Sequence, residues 1–476
     1  MLTQGSAASR TSGWVLALAA AASFMAALDT LVVTTALTTI RLDLGASIEQ
    51  LEWTVNAYNL SFAVLLMTAA ALGDRFGRRR MFATGLGLFA AASAACALAP
   101  TAGTLIAARA VQGIGAALVM TLALALVSAA FAPEQRGKAL GIFFALTGVA
   151  VASGPLVGGA IVEGMTWQWI FWLNVPLGLV LVPLVLRRVP ESFGPDSALD
   201  LRGLALVSGG VLSLVWGLVR GNIAGWGSVE VVAALSASVL LLAAFVAWQL
   251  RAPEPMLPMR FFRSRGFSAG NAASFFAVAS LFCGVFFLAQ FLQTSLGYGP
   301  LKAGLGLLPW TATLFFVAPL AGALVDRYGE RPFMVAGPLL QAAGMGWIAL
   351  TAGAGMDYFE LVPALVVAGI GVSMSFPAGQ NSVVGSVPPE AVGKASGTNT
   401  TMRELGGVLG IALSVAVFTG AGGYASTQAF DDGFAAAMGV SAALSLLGAL
   451  AGAALPSRAS ATAAPTTPAL ASEGRS

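Results

Sequence analysis

Long apolar runs, separated by short polar breaks, recur from one end of this chain to the other. Crossing the bilayer hydrocarbon takes ~20 mostly apolar residues, and backbone in lipid must close its own hydrogen bonds. The runs fall near 14–36, 52–72, 82–99, 104–130, 139–162, 169–186, 203–220, 229–249, 267–291, 303–325, 333–352, 359–383, 395–418 and 434–455. Fourteen transmembrane helices are therefore expected. Composition agrees: 57% of the 476 residues are hydrophobic and mean hydropathy is +0.84. The run from Trp14, with Arg10 ahead of it, has the look of a signal peptide, but it continues to about Ala36 and reads as a span.

Several chemistries are excluded. There is no His, hence no His metal site or His proton relay. Cys96 and Cys283 are isolated in apolar runs and read as small buried hydrophobes. Gly137-Lys138 and Gly393-Lys394 are each followed by Ala, so no phosphate-binding loop occurs. A net charge of +3 gives no reason to expect a nucleic-acid partner. No loop is long enough for a soluble catalytic domain, so an enzyme is not expected.

Lys and Arg orient the chain. With the N-terminus in the cytoplasm, only Arg41, Arg220 and Lys302 lie outside, Arg109 and Arg403 lie within spans, and the other 19 of 24 basic residues are cytoplasmic. Both termini are then cytoplasmic, and the Ala/Thr/Pro/Ser-rich tail is expected to be disordered.

Charge makes up 9% of the chain, yet "LGDRFGRRR" (Leu72 to Arg80) concentrates it, and "LVDRYGERP" (Leu324 to Pro332) repeats the pattern. Asp74 lies 60 residues after Trp14, and Asp326 lies 59 after Phe267. Each turn thus follows the second span of a six-span block, with two spans inserted between the blocks. Such repetition is characteristic of transporters whose halves rock about a central site. Gly77 and Gly329 permit the tight reversal. Arg75, Arg78 and Arg327 anchor helix ends at an anionic membrane face. Asp74 and Asp326 sit at unfavourable helix C-termini and need a partner, an Arg or a neighbouring helix N-terminus. Such a contact would hold one conformer closed.

These residues resemble the major facilitator superfamily. "ALGDRFGRRR" and "GALVDRYGER" resemble its signature G-x-L-x-D-R-x-G-R-[RK], with Ala70 for the first Gly and Glu330 at a basic position. "LIAARAVQGIGAA" (Leu105 to Ala117) resembles the fourth-span motif with its buried Arg and Gln-Gly pair. "GPLVGG" (Gly154 to Gly159) resembles the fifth-span motif of antiporters. "WQWIFWLNVPLG" (Trp167 to Gly178) and the span count point to the fourteen-span drug:proton antiporter branch. "LDTLVVTTAL" (Leu28 to Leu37) resembles that branch's first-span motif, with Thr34 and Thr38 in place of Asn and Pro, and Gln168 stands where Arg is usual. The implied fold is an all-α integral membrane protein of two six-helix bundles plus two inserted central helices. Its parts are an N-terminal tail (1–13), a first bundle (14–186), a linker with the extra helices (187–266), a second bundle (267–455) and a C-terminal tail (456–476).

Charges inside spans are costly and are functional candidates by default. Asp29 is about eight residues from the outer end of its span, ~12 Å by helical rise, and Arg109 about six, ~9 Å. Their depths match. They form either a proton-linked site or a static salt bridge. Arg403 and Glu404 form a second candidate; Glu404 is either a proton or cation site or a charge balance for Arg403, and adjacent residues point ~100° apart. Gly154, Pro155, Gly158 and Gly159 break the helical ladder, for close packing or for a bend that opens the cavity. Asn56, Tyr58, Asn59, Gln112, Gln290, Gln293, Trp310, Phe376 and Asn381 are candidate substrate contacts, although the polar ones equally suit helix packing. Trp167, Trp169 and Trp172 look like an interfacial belt.

Together the residues and the resemblance lead to proton-coupled efflux of drugs or other amphipathic organic compounds by alternating access. No cofactor or metal is expected, the proton gradient supplies the drive, and a monomer in the bacterial plasma membrane is expected. The alternatives are symport or exchange of an endogenous solute, and a membrane sensor or scaffold.

Overall fold

A computed structural model describes residues 2–131, 133–193, 200–253, 255, 257–353, 356–387 and 392–456. Among them the protein is all-helical. A first group comprises α1 (Leu2–Leu44), α2 (Ile48–Phe76), α3 (Arg78–Ala97), α4 (Ala102–Ala130), α5 (Pro133–Gly164), α6 (Trp169–Trp172) and α7 (Asn174–Arg188). A hairpin follows, α8 (Leu201–Ala224) and α9 (Val229–Gln249). A second group comprises α10 (Arg265–Thr294), α11 (Pro300–Gly306), α12 (Leu308–Thr311), α13 (Thr313–Tyr328), α14 (Glu330–Thr351), α15 (Tyr358–Val384), α16 (Val392–Ala421) and α17 (Thr427–Ala453).

Twelve helices of the described residues are long and apolar enough to cross a membrane, or thirteen with the bent α2 taken as one span. The run expected at 139–162 falls on α5, a helix of 32 residues whose side chains are only partly among those described. Two expected spans are interrupted, α6 with α7 and α11 to α13, where Pro176 and Pro309 withdraw backbone donors. The first span outruns its expected end at residue 36 by two turns. Thr38, Thr39 and Arg41 end the apolar run but not the helix, and the Arg41 guanidinium lies 4.0 Å from the Tyr424 ring centroid. The tail beyond residue 456 lies outside the described residues.

Ser47 and Thr101 start α2 and α4 with reciprocal caps, Ser47 with Gln50 and Thr101 with Thr104. Gly77 and Gly329 end α2 and α13 at φ +101° and +83°, a region that side chains avoid. The two related turns therefore have one local geometry, and both lie on the face that carries the Arg clusters, here the basic face.

Within the first group, α2 and α3 pack on α4, α1 on α5, and α3 on α7; within the second, α10 packs on α16 and α17, and α14 on α15 and α17. The groups meet along two seams, α2 with α16 and α5 with α11. The hairpin does not lie between the bundles. Its α8 rests on α2 and α16 beside the first seam, where Trp216 approaches Trp53 with ring centroids 6.3 Å apart. Exposed apolar side chains such as Val239, Leu240 and Leu350 suit a lipid surface.

The apolar core differs between the two ends. Away from the basic face, one cluster runs across both groups, from Leu37, Val55 and Phe171 to Phe286, Phe291, Trp310 and Phe418. Midway, Leu60 and Val64 of α2 join Leu405 and Val408 of α16. Toward the basic face, among the described residues, each group has its own cluster, one around Phe82, Leu122 and Val185 and the other around Val325, Phe333 and Met334. Among the described residues the two groups thus share one core at one end and have separate cores at the other.

Candidate functional site

The charges expected inside the membrane do meet. Asp29 of α1 and Arg109 of α4 form a salt bridge, with 3% and 0% of their surfaces exposed. The other Asp29 oxygen accepts from Gln112 Nε2 at 3.0 Å and from Asn174 Nδ2 at 2.9 Å. Gln112 also donates to Ser93 Oγ at 2.8 Å, and its Oε1 accepts from Arg109 at 2.7 Å. Arg109 Nε donates to the Thr54 carbonyl at 3.2 Å, and the guanidinium carbon lies 4.2 Å from the Tyr58 ring centroid. One Arg109 nitrogen, Nη2, has no partner. Five helices of the first group thus converge on one buried ion pair. A buried pair needs this many hydrogen bonds to offset its desolvation.

Asn174 and Ser93 escaped the sequence reading. Their signal was slight, an uncharged polar residue within an apolar run. Trp167 corrects an expectation: it is 2% exposed, donates to Asp43 at 2.7 Å and belongs to the core rather than an interfacial belt, because its ring packs inward while its indole N–H reaches the exposed Asp43 carboxylate.

The second group has a neutral counterpart. Ser280 of α10 bonds Ser441 and Ser445 of α17, each at 2.8 Å, and accepts from Gln341 of α14 at 2.9 Å. The cluster that matches the ion pair in the second group therefore carries no charge. Arg403 lies elsewhere, lining a small cleft with Ser274, Ser375 and Phe376, its guanidinium carbon 4.2 Å from the Phe376 ring centroid. Glu404 is its neighbour on α16 and is partly buried. No hydrogen bond joins Glu404 to the Asp29 network among the described residues, but Glu404 lies within electrostatic reach of Tyr58, the ring that stacks on Arg109.

Other expected contacts are engaged in packing. Tyr58 donates to the Ala26 carbonyl at 3.3 Å. Gln290 donates to the Phe286 carbonyl at 2.7 Å and accepts from the Tyr424 hydroxyl, while Trp310 is core. Burial pushes the Tyr424 hydroxyl pKa up, with Arg41 opposing. Gln293 reaches across the groups to the Thr35 carbonyl at 3.1 Å. Asn381 is partly buried on α15, its carbonyl accepting from Gly385 N–H. Asn56 Oδ1 and both Asn59 side-chain polar atoms are buried without partners.

The Gly154–Gly159 motif has two faces. Gly154 and Gly158 lie against α1, at Leu31 and Val32. Pro155 and Gly159 lie against α11: ideal Cβ atoms would sit 2.4 Å from the Pro300 carbonyl oxygen at Gly159 and 2.3 Å from the Pro155 carbonyl oxygen at Gly304. The motif closes the second seam.

On the basic face, Asp74 takes the Arg of its own turn, Arg78, at 2.8 Å. Glu191, beyond α7, accepts from Arg79 N–H at 2.8 Å and lies 3.6 Å from the Arg79 and Arg80 guanidinium groups. Arg75 and Arg327 lie near the Phe76 and Tyr328 rings, and the Asp326 side chain lies outside the described residues. A Cβ at Gly77 would sit 2.8 Å from the Glu191 carboxyl carbon. Gly77→Ala is therefore expected to cost about 1–3 kcal/mol, read as a lower melting temperature, whereas Gly87→Ala, mid-helix with nothing near its Cβ, is expected to leave the melting temperature equal or slightly higher.

The sequence profile of the Major Facilitator Superfamily matches residues 19–317 and 272–472. The chain is 35% identical over 410 residues to the tetracenomycin C resistance and export protein of Streptomyces glaucescens, covering 84% of this chain and 75% of that one. It is 34% identical over 418 residues to the puromycin resistance protein pur8 of Streptomyces alboniger, covering 86% and 82%. Among solved structures, a peptide transporter POT in complex with sulfate shares the fold, with a TM-score of 0.68 at 16% identity over 92% of this chain and 93% of that one. Two related helix groups, the recurrent Asp-Arg-aromatic-Gly turns and this coverage agree: the chain belongs to the Major Facilitator Superfamily.

Proposed function

We propose that this protein is a fourteen-span exporter of antibiotics or other amphipathic organic compounds, driven outward by proton antiport without a bound cofactor. The observation that carries the reading is the similarity, across 84–86% of the chain, to proteins named for antibiotic resistance and export. The Lys and Arg distribution supports placing the basic face and both termini in the cytoplasm of a bacterial cell. The single core at the opposite end then closes the protein to the outside. The two six-helix bundles, 14–186 and 267–455, would rock about the α2–α16 and α5–α11 seams, one copy being sufficient.

The Asp29 network supports a proton-linked step. Its carboxylate takes three side-chain donors. A protonated Asp29 no longer balances Arg109 and cannot satisfy all three. Proton and guanidinium thus compete, and a bundle that repacks between the two arrangements supplies a two-state element. Arg403 and Phe376 offer an aromatic, polar-edged wall for a substrate, and Asn56 offers an unpaired amide oxygen and Asn59 an unpaired amide group.

Inverted membrane vesicles with an acid lumen test this reading. Compounds from a growth-protection panel that includes puromycin are added outside. Antiport requires substrate-dependent loss of protons from the lumen, and Asp29→Asn, at matched amounts of folded protein, abolishes it. Proton movement in the same direction as the solute would replace the reading by symport; no proton movement with any protective compound would reject it.

A further inference from the structure

Two buried acids, Glu52 and Asp431, take no part in the network above; Asp431 accepts from Ser295, whereas Glu52 is the more completely buried. Glu52 lies in the second turn of α2 and is 0% exposed. Its Oε1 accepts from Asn56 Nδ2 at 3.2 Å, and its Oε2 has no partner. One and two turns further, Asn56 and Asn59 are equally buried and hold three more unpartnered polar atoms. Four orphaned atoms on one stripe of one helix are costly unless they serve another state.

The stripe lies at the seam. Leu51 and Val55, in the common core, and Tyr58 and Phe62, in the first group's own core, define one buried face of α2. Trp53, Leu60 and Val64 define the face toward α8 and α16. At ~100° per residue, Glu52, Asn56 and Asn59 fall between them, and the next residue of that stripe, Ala63, packs with Leu405, Val408 and Ala412 of α16. Glu52 is thus sealed at the end where the common core joins the two bundles.

Among the described residues no cation compensates it; Arg41 of α1, at the same end, lies over the Tyr424 ring. Arg109 of α4 is turned to Asp29 of α1, Gln112 and the Thr54 carbonyl. Arg220 of α8 lies 3.7 Å from Glu49 and 3.1 Å from Glu230. The charges of α3, Arg78 to Arg80, and Asp74 and Arg75 of α2 itself are at the basic face. Arg403 and Glu404 of α16 adjoin Leu405, which packs with Leu60 and Val64, ~12 Å along α2 from Glu52 by helical rise. Arg202 and the acidic Asp200 mark the basic-face end of α8. Glu49, one turn before Glu52, adds a like charge.

We infer that Glu52 is the proton lock of the outer gate: closure buries it, and closure therefore requires that it first take a proton from the outside. This inference rests on the orientation and antiport reading above. An ionised carboxylate sealed without a counter-charge is strongly disfavoured, whereas the neutral acid needs only hydrogen bonds. When the common core opens, the carboxylate meets external water and ionises; one external proton converts it back to the acid, and the halves close. The proton returns to the outside when the core reopens, so Glu52 moves no charge across the membrane; it makes closure, and with it each turn of the cycle, depend on external pH.

The test needs no substrate. Spin labels are placed at Leu42→Cys, at the end of α1, and Thr427→Cys, at the start of α17, with Cys96 and Cys283 replaced by Ala. Both sites are exposed, on opposite bundles at the closed end. In nanodiscs the label distance is expected to lengthen from acid to alkaline pH. Glu52→Gln, and Glu52→Met should Gln fail to fold, are expected to remain closed throughout, while Glu52→Asp keeps the pH response. A Glu52→Gln or Glu52→Met protein that opens with pH like the parent would overturn the inference, as would a parent that ignores pH. A proton-independent vesicle result would overturn the antiport reading alone, since this distance is measured without transport.

Discussion

Asp29→Asn is expected to cost this protein about 3–5 kcal/mol of stability, and Arg109→Gln a similar amount, because each leaves one partner of a fully buried pair uncompensated. The double substitution is expected to recover at least half of the combined loss, since neither charge then remains. Melts or denaturant titrations in detergent give the cycle directly. Additive losses would mean that the pair is not what holds α1 and α4 together. The size of the effect follows from the burial, 3% and 0% exposed, and from the five helices that contribute groups to the pair. A surface pair would give about 0–1 kcal/mol.

The second large effect is conformational. Gly159→Ala places a methyl 2.4 Å from the Pro300 carbonyl oxygen, and Gly304→Ala places one 2.3 Å from the Pro155 carbonyl oxygen. Both obstacles are backbone, so a side-chain rotation cannot relieve them. The cost falls on the closed arrangement of α5 and α11, and the open one escapes it. Overpacking of about 1–3 kcal/mol corresponds to a shift of roughly 5- to 150-fold toward the form open at that end. Cysteine reactivity at positions lining the α5–α11 seam measures it. Gly158→Ala, which presses on α1 of its own bundle, is expected to lower stability without that opening.

The sequence carried the helices because apolar runs of bilayer length admit little else, and it carried the Asp29–Arg109 meeting because two charges at matched depth in neighbouring spans have few other partners. It carried the paired turns through the recurrence of Asp74, Gly77, Asp326 and Gly329. Where polarity and helix part company, the reading failed. Thr38 and Arg41 ended an apolar run while α1 continued, and placing the start of span two at Glu52 hid a buried acid at the supposed membrane edge. Trp167 passed for a belt residue because only the fold brings Asp43 to its indole nitrogen. Asn174 and Ser93 were illegible because a single amide or hydroxyl in an apolar run suits any helix contact. Packing against other helices, as with Gln290 and Tyr424, is settled by tertiary arrangement rather than by residue type.

The central claim is that ionisable groups buried at moving bundles tie solute export to inward proton flow. The most direct measurement reconstitutes the protein in liposomes with the compound that gives the strongest growth protection, and imposes a pH gradient first in one direction and then in the other, with the membrane potential clamped at zero. Antiport predicts that the compound accumulates on the acid side both times and that the flux reverses with the gradient. Accumulation on the alkaline side, or a flux indifferent to the gradient, would contradict it.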